Sequence, residues 1–100
     1  MACSYDLYLP EDTQIAVKHV LDEAGFEVRA KPKRLNGGGR GMEYDIRSGK
    51  DRVSVIEAPA YSTPKMLETN LRCSAAAKTA MLQSVVDTLK KAGAAEKKKR

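Results

Sequence analysis

Lys31, Lys33, Arg34 and Arg40 lie in the stretch Lys31-Pro32-Lys33-Arg34-Leu35-Asn36-Gly37-Gly38-Gly39-Arg40-Gly41, which holds no acid and places glycine at four of its last five positions. Long cationic side chains beside glycines suit an anion, because glycine lets the backbone approach a ligand and successive amides can form an anion-binding concavity. Phosphate is the expected guest. Arg47, shortly beyond, adds a guanidinium that can grip phosphate through two parallel hydrogen bonds. A second basic run, Lys97-Lys98-Lys99-Arg100, ends the sequence. If the two runs converge on one electropositive surface, both can contact one nucleic-acid backbone, with salt-dependent affinity from released counterions.

Other chemistry finds little footing. The pair Gly49-Lys50 has Tyr44 where a P-loop needs glycine and is followed by Asp51 instead of Ser or Thr. A dinucleotide fingerprint starting at Gly37 has Met42 in its sixth place. Ser74 and Lys78 are four apart, not the three of a Ser-x-x-Lys nucleophile pair. His19, the one histidine, sits beside Ala16 and Val20 with no nucleophile at helical spacing, and reads as a boundary residue. Glu43, Asp45 and Glu57 alternate with apolar residues as solvated sheet positions do. No nucleophile, base and stabilising donor come together, so a non-enzymatic role is expected, with no cofactor and no metal. Aromatic rings are also scarce, with one Phe, four Tyr and no Trp. A single-strand binder built on a row of stacking rings is poorly supported, and recognition should be led by phosphate contacts.

The balance of charge agrees with that emphasis. Of 100 residues, 18 are Lys or Arg and 13 are Asp or Glu, a net +5. Residues 1–28 sum to −5, 29–41 to +5, 42–89 to zero and 90–100 to +5. The excess is therefore confined to one internal run and one terminal run. There is no apolar run near the roughly 20 residues of a membrane-spanning helix. The N-terminal residues lack a secretory pattern, and two widely separated cysteines give no disulfide framework. An intracellular, cytoplasmic location is expected, or a nuclear one in a eukaryote.

The elements that must position these groups follow from periodicity. Residues 3–9 alternate as a half-buried strand and Pro10 ends it. Glu11 to Ala24 carries an apolar helical stripe, with Asp12 or Thr13 as cap and Gly25 as stop. Phe26 to Ala30 reads as a second strand whose regular pairing Pro32 ends, and two further strands flank the turn Ser48-Gly49-Lys50-Asp51. From Thr63-Pro64 to about Ala92 helix is expected, with Leu71, Ala75, Lys78, Leu82, Val85 and Leu89 along a seam. One straight helix would be about 44 Å long at 1.5 Å per residue, so a break near Asn70 to Ser74 is favoured over a projecting rod. Met66, Leu67 and Leu71 would form a partner surface if the rod projected.

The expected fold is α+β: a two-layer sandwich with a four-stranded, mainly antiparallel sheet, chain order β-α-β-β-β-α, and two helices on one face. Residues 1–93 make one domain and 94–100 a basic flexible tail. From Glu11 onward this order resembles the double-stranded-RNA-binding domain, and Ser74-Ala75-Ala76-Ala77-Lys78-Thr79-Ala80 is similar to the start of that family's last helix. Ala75-Ala76-Ala77 stands where that family is lysine-rich, so the resemblance is one of topology and implies no membership. The leading expectation is a module that binds nucleic acid, RNA before DNA, through Lys31, Lys33, Arg34, Arg40, Arg47, Lys97, Lys98, Lys99 and Arg100. The second is a protein-interaction module (inhibitor, adaptor, assembly subunit or homodimer) using the long C-terminal helix or a sheet edge.

Overall fold

The computed structural model describes residues 3–9, 15–34, 39–59, 69–75 and 80–96. Their elements are β1 (Cys3–Leu9), α1 (Val17–Glu23), β2 (Glu27–Arg34), β3 (Arg40–Ser48), β4 (Asp51–Pro59), β5 (Thr69–Ala75), α2 (Ala80–Lys91) and β6 (Ala95–Glu96). They form one antiparallel sheet in the order β2-β3-β4-β5-β1-β6, with α1 packed on β2 and α2, and α2 on β4 and β5. The α+β class holds, but the sheet has six strands instead of four.

The larger correction is β5. Leu71 and Ala75, expected on a helical seam, lie on one strand, and the stretch Asn70 to Ser74, where a break in that helix was expected, is strand throughout. Their spacing of four is even, so it places two residues on one side of a strand as readily as on adjacent turns of a helix. Cys73 between them decides the matter. Leu71, Cys73 and Ala75 are all buried while Asn70, Arg72 and Ser74 point the other way. β5 is the sheet's interior joint, pairing with β1 through Leu7↔Leu71 and with β4 through Val55↔Cys73. The resemblance to the double-stranded-RNA-binding domain therefore stops at β4, since a strand stands where that order has its last helix. The expected helix start at Thr63-Pro64, with Met66 and Leu67, lies outside the described residues.

Local chemistry sets the C-terminal end of each helix. α1 begins only at Val17, after an extended Ala16 (φ −89°, ψ 100°) that makes no side-chain cap, whereas a start near Glu11 was expected. Its stop is as read: Gly25 at φ 95° lets Gly25 N–H donate to Asp22 O (3.0 Å) and Phe26 N–H to Leu21 O (3.1 Å). The same pair of bonds closes α2 around Gly93, from Gly93 N–H to Lys90 O and from Ala94 N–H to Leu89 O. Ala94 is buried, and β6 then pairs Ala95 with Tyr8 and Glu96 with Leu7. Thus Ala95 and Glu96, expected at the root of a flexible tail, are part of the sheet.

The core is one layer between sheet and helices, built from Leu7, Leu9, Val28, Ile46, Val53, Val55, Leu71 and Cys73 against Val17, Leu21, Met81, Leu82, Val85, Val86 and Leu89. The opposite face of the sheet carries no helix among the described residues. No described helix is long and apolar enough to cross a membrane.

β2 is an edge strand, and Pro32 does not end its pairing: the ladder continues through Pro32↔Met42 to Arg34↔Arg40. Proline has no N–H to give β3, so its nitrogen must face the open side, interrupting the donors an incoming strand would need. Pro32 and the flanking cations make this a guarded edge. Replacing Pro32 with Val restores the missing donor. The expected result is concentration-dependent growth in mass by light scattering that the wild type does not show; equal masses at all concentrations refute it.

Candidate nucleic-acid interface

Strand alternation sorts the predicted cations more sharply than a loop would. Lys31, Lys33, Arg34 and Arg40, read as loop residues, are strand residues, and the connection between β2 and β3 is confined to 35–39. Lys31 and Lys33 project from the helix-free face. Both lie near one carboxylate, Lys31 Nζ at 3.3 Å from Glu43 Oε1 and Lys33 Nζ at 3.8 Å from Glu43 Oε2. Two exposed ammonium groups share a single negative charge.

Arg34 and Arg40 are directly opposite in the last pair of the hairpin, both exposed, and neither has an ion-pair partner among the described residues. Like charges facing each other across an antiparallel ladder are unfavourable. This pair opens onto the glycine-rich connection. Along β3, Arg47 lies seven residues beyond Arg40, about 24 Å at 3.4 Å per residue, so it does not join that cluster. It stands opposite Glu27 on β2 and Arg52 on β4.

Asp45, expected to be an ordinary solvated position, is only 9% exposed. It accepts from Arg52 Nε at 2.8 Å and Arg47 Nε at 3.2 Å. The hydrogen bond from Arg52, followed by the positive charges of Arg52 and Arg47, holds its carboxyl below the usual aspartate range against the opposing cost of burial. Arg52 was missed in the sequence. Counting outward from the turn Ser48-Gly49-Lys50-Asp51 pairs Ser48 with Asp51 and Arg47 with Arg52, and that register was the available signal.

Two further expectations change. Glu57 is on the helix side, where its Oε1 accepts from the Tyr44 hydroxyl at 3.1 Å, while Ile56 takes the outward position. The adjacent apolar residues Val55 and Ile56 obscure that phase in the sequence. Leu71, expected on a partner surface, is 1% exposed at the centre of the sheet. His19 is exposed on α1, 3.0 Å from Glu23.

Lys97, Lys98, Lys99 and Arg100 lie outside the described residues. Their root, β6, is at the edge of the sheet opposite β2, about 24 Å away across five inter-strand spacings. The strands from which the two basic runs extend therefore lie at opposite edges of the sheet, and the convergence expected from sequence falls outside the described residues. No protein-family model matches the chain, and neither the curated proteins nor the solved structures yield a significant match.

Proposed function

We propose that this protein is a small non-enzymatic module that binds nucleic acid, RNA before DNA, by its phosphate backbone. The primary contacts are Arg34 and Arg40 at the end of the β2–β3 hairpin, with Lys31 and Lys33 contributing from the opposite face of the same hairpin and the terminal run 97–100 as a further contribution. The observation that carries this reading is the facing Arg34 and Arg40 pair. It costs the hairpin electrostatic repulsion and has no acid to relieve it among the described residues, whereas a phosphate between the two guanidinium groups would be bound by both.

The test is a labelled RNA duplex and its DNA counterpart, titrated at several salt concentrations. Replacing Arg34 and Arg40 together with Ala should weaken binding and reduce the slope of log affinity against log salt by about one, for the one phosphate the pair would hold. No binding by the wild type at low salt, or an unchanged slope in the variant, overturns the proposal. Arg34→Glu separates binding from folding. Opposite Arg40 it creates a favourable cross-strand pair and should raise stability by about 0.2–1 kcal/mol, while nucleic-acid binding falls. An Arg34→Glu protein that keeps its fold and binds as the wild type does refutes the functional assignment of this pair.

One observation favours the second reading, a protein-interaction module. β6 covers only Leu7 and Tyr8 of β1, so Ser4, Tyr5 and Asp6 have no neighbouring strand on that side among the described residues. An extended peptide could add there by main-chain hydrogen bonds.

A further inference from the structure

We infer that Asp45 is a positioning residue that presents Arg47 and Arg52 as a two-guanidinium fork for one backbone phosphate. This rests on the phosphate-binding reading above and adds a site on the helix-free face, remote from the hairpin end.

Arg47 and Arg52 face each other across β3 and β4. Such a pair is repulsive unless something lies between, and Asp45 does. Arg47 donates from Nε to Oδ2, and Arg52 donates from Nε to Oδ1 and from Nη2 to Oδ2 at 3.3 Å. The carboxylate is nearly enclosed, with a side-chain exposure of 12%, but the arginine side chains are 47% and 60% exposed. The anion is spent inside while the cations remain open to solvent.

Charge and donors both exceed what Asp45 can satisfy. Two positive charges meet one negative, and a guanidinium carries five N–H donors, of which Asp45 uses one from Arg47 and two from Arg52. The remaining N–H groups have no partner among the described residues. Other charged groups nearby are Glu27 opposite Arg47, Arg29 opposite Asp45, Glu43 within the field of Arg52, and Lys50 and Asp51 in the adjoining turn. Ser54 opposite Asp45 on β4 is small. Flexible arginines lose rotamer entropy on gripping a phosphate, and a fixed carboxylate that has already ordered them lowers that cost. Two oxygens of one phosphate match the planar guanidinium fork, a fit that the compact ammonium of lysine does not offer.

The charge of Asp45 and its positioning role predict opposite signs, which makes the inference testable. Using the full chain and the same labelled RNA duplex, Arg52→Ala should weaken binding several-fold and lower the salt slope by about one. Arg52→Lys keeps the charge but not the fork, so it should weaken binding with the slope retained. Asp45→Asn adds a net positive charge, and charge alone would tighten binding; loss of positioning should weaken it. Melting curves identify any variant that fails to fold, and the exposed Arg52 variants decide the outcome if Asp45→Asn is one. Tighter binding by a folded Asp45→Asn overturns the positioning role. Wild-type binding that depends on Arg34 and Arg40 but is indifferent to Arg52 overturns this site alone, whereas a wild type that binds no duplex overturns the phosphate reading as well.

Discussion

Leu71→Ala is expected to lower the unfolding free energy by about 2–5 kcal/mol, and Leu71→Asp to abolish the native fold at room temperature. Leu71 is 1% exposed, opposite Leu7 on β1 and Glu57 on β4, at the joint that makes the halves of the sheet continuous. Truncation to Ala removes buried methyl groups and leaves a cavity that two rigid neighbouring strands cannot easily close. Aspartate places a carboxylate there, opposite Glu57 and with no cationic partner among the described residues. Domains of this size have only about 5–15 kcal/mol in reserve, so the second change exceeds or consumes it. A urea titration followed by circular dichroism measures the first, and loss of a cooperative transition marks the second. A partner-surface residue would behave in the reverse way, with stability kept and an interaction lost. A Leu71→Asp protein with the wild-type midpoint would refute the placement of β5.

The second large effect is alkaline. Burial, then the negative charge of Glu57 and the hydrogen bond to it, push the Tyr44 phenol up to about 12 from 10.0. Because the folded state holds the proton more tightly than the unfolded state, Tyr44 contributes full stability below pH 10. That contribution is lost as pH rises from about 10 to about 12, where the unfolded phenol ionises first. The loss should approach about 2 kcal/mol, less than the full linkage value because Glu57 remains partly solvated. Tyr44→Phe should be about 1 kcal/mol less stable at neutral pH, for want of the hydrogen bond, and flatter above pH 10. Cys73, whose buried thiol is also pushed up to about 12, is present in both proteins and cancels in the difference. Parallel stability curves for the two proteins from pH 9 to 11.5 would contradict the assignment.

The parts of the fold legible in the sequence are those with short-range causes. Gly25 and Gly93 mark helix ends because each adopts a positive φ that a side chain resists. The β3–β4 hairpin follows from two alternating runs about a tight turn. By contrast β5 was concealed by a four-residue spacing common to helix and strand. β6 has only two residues, too few to show any period. It exists because the turn after α2 delivers it beside β1, helped by Lys90 Nζ lying 2.6 Å from Glu96 Oε1.

For the candidate site the division is similar. Acid-free runs at 29–41 and 97–100 can be read by counting, since charge belongs to each residue wherever it lies. Which cations keep that charge uncompensated cannot be counted. Lys31 and Lys33 share Glu43 and Arg47 shares Asp45 with Arg52, while Arg34 faces Arg40. These pairings depend on register, and the placement of β2 and β6 at opposite edges depends on strand order. Both are set by long-range packing of alternating faces into one core. From sequence alone came the α+β class, the periodic elements with local stops and the segregation of positive charge; the six-strand order, the burial of Leu71 and the facing arginines were decided only when the sheet closed around its interior joint, because a residue's neighbours across a sheet are chosen by the whole chain and not by its own stretch.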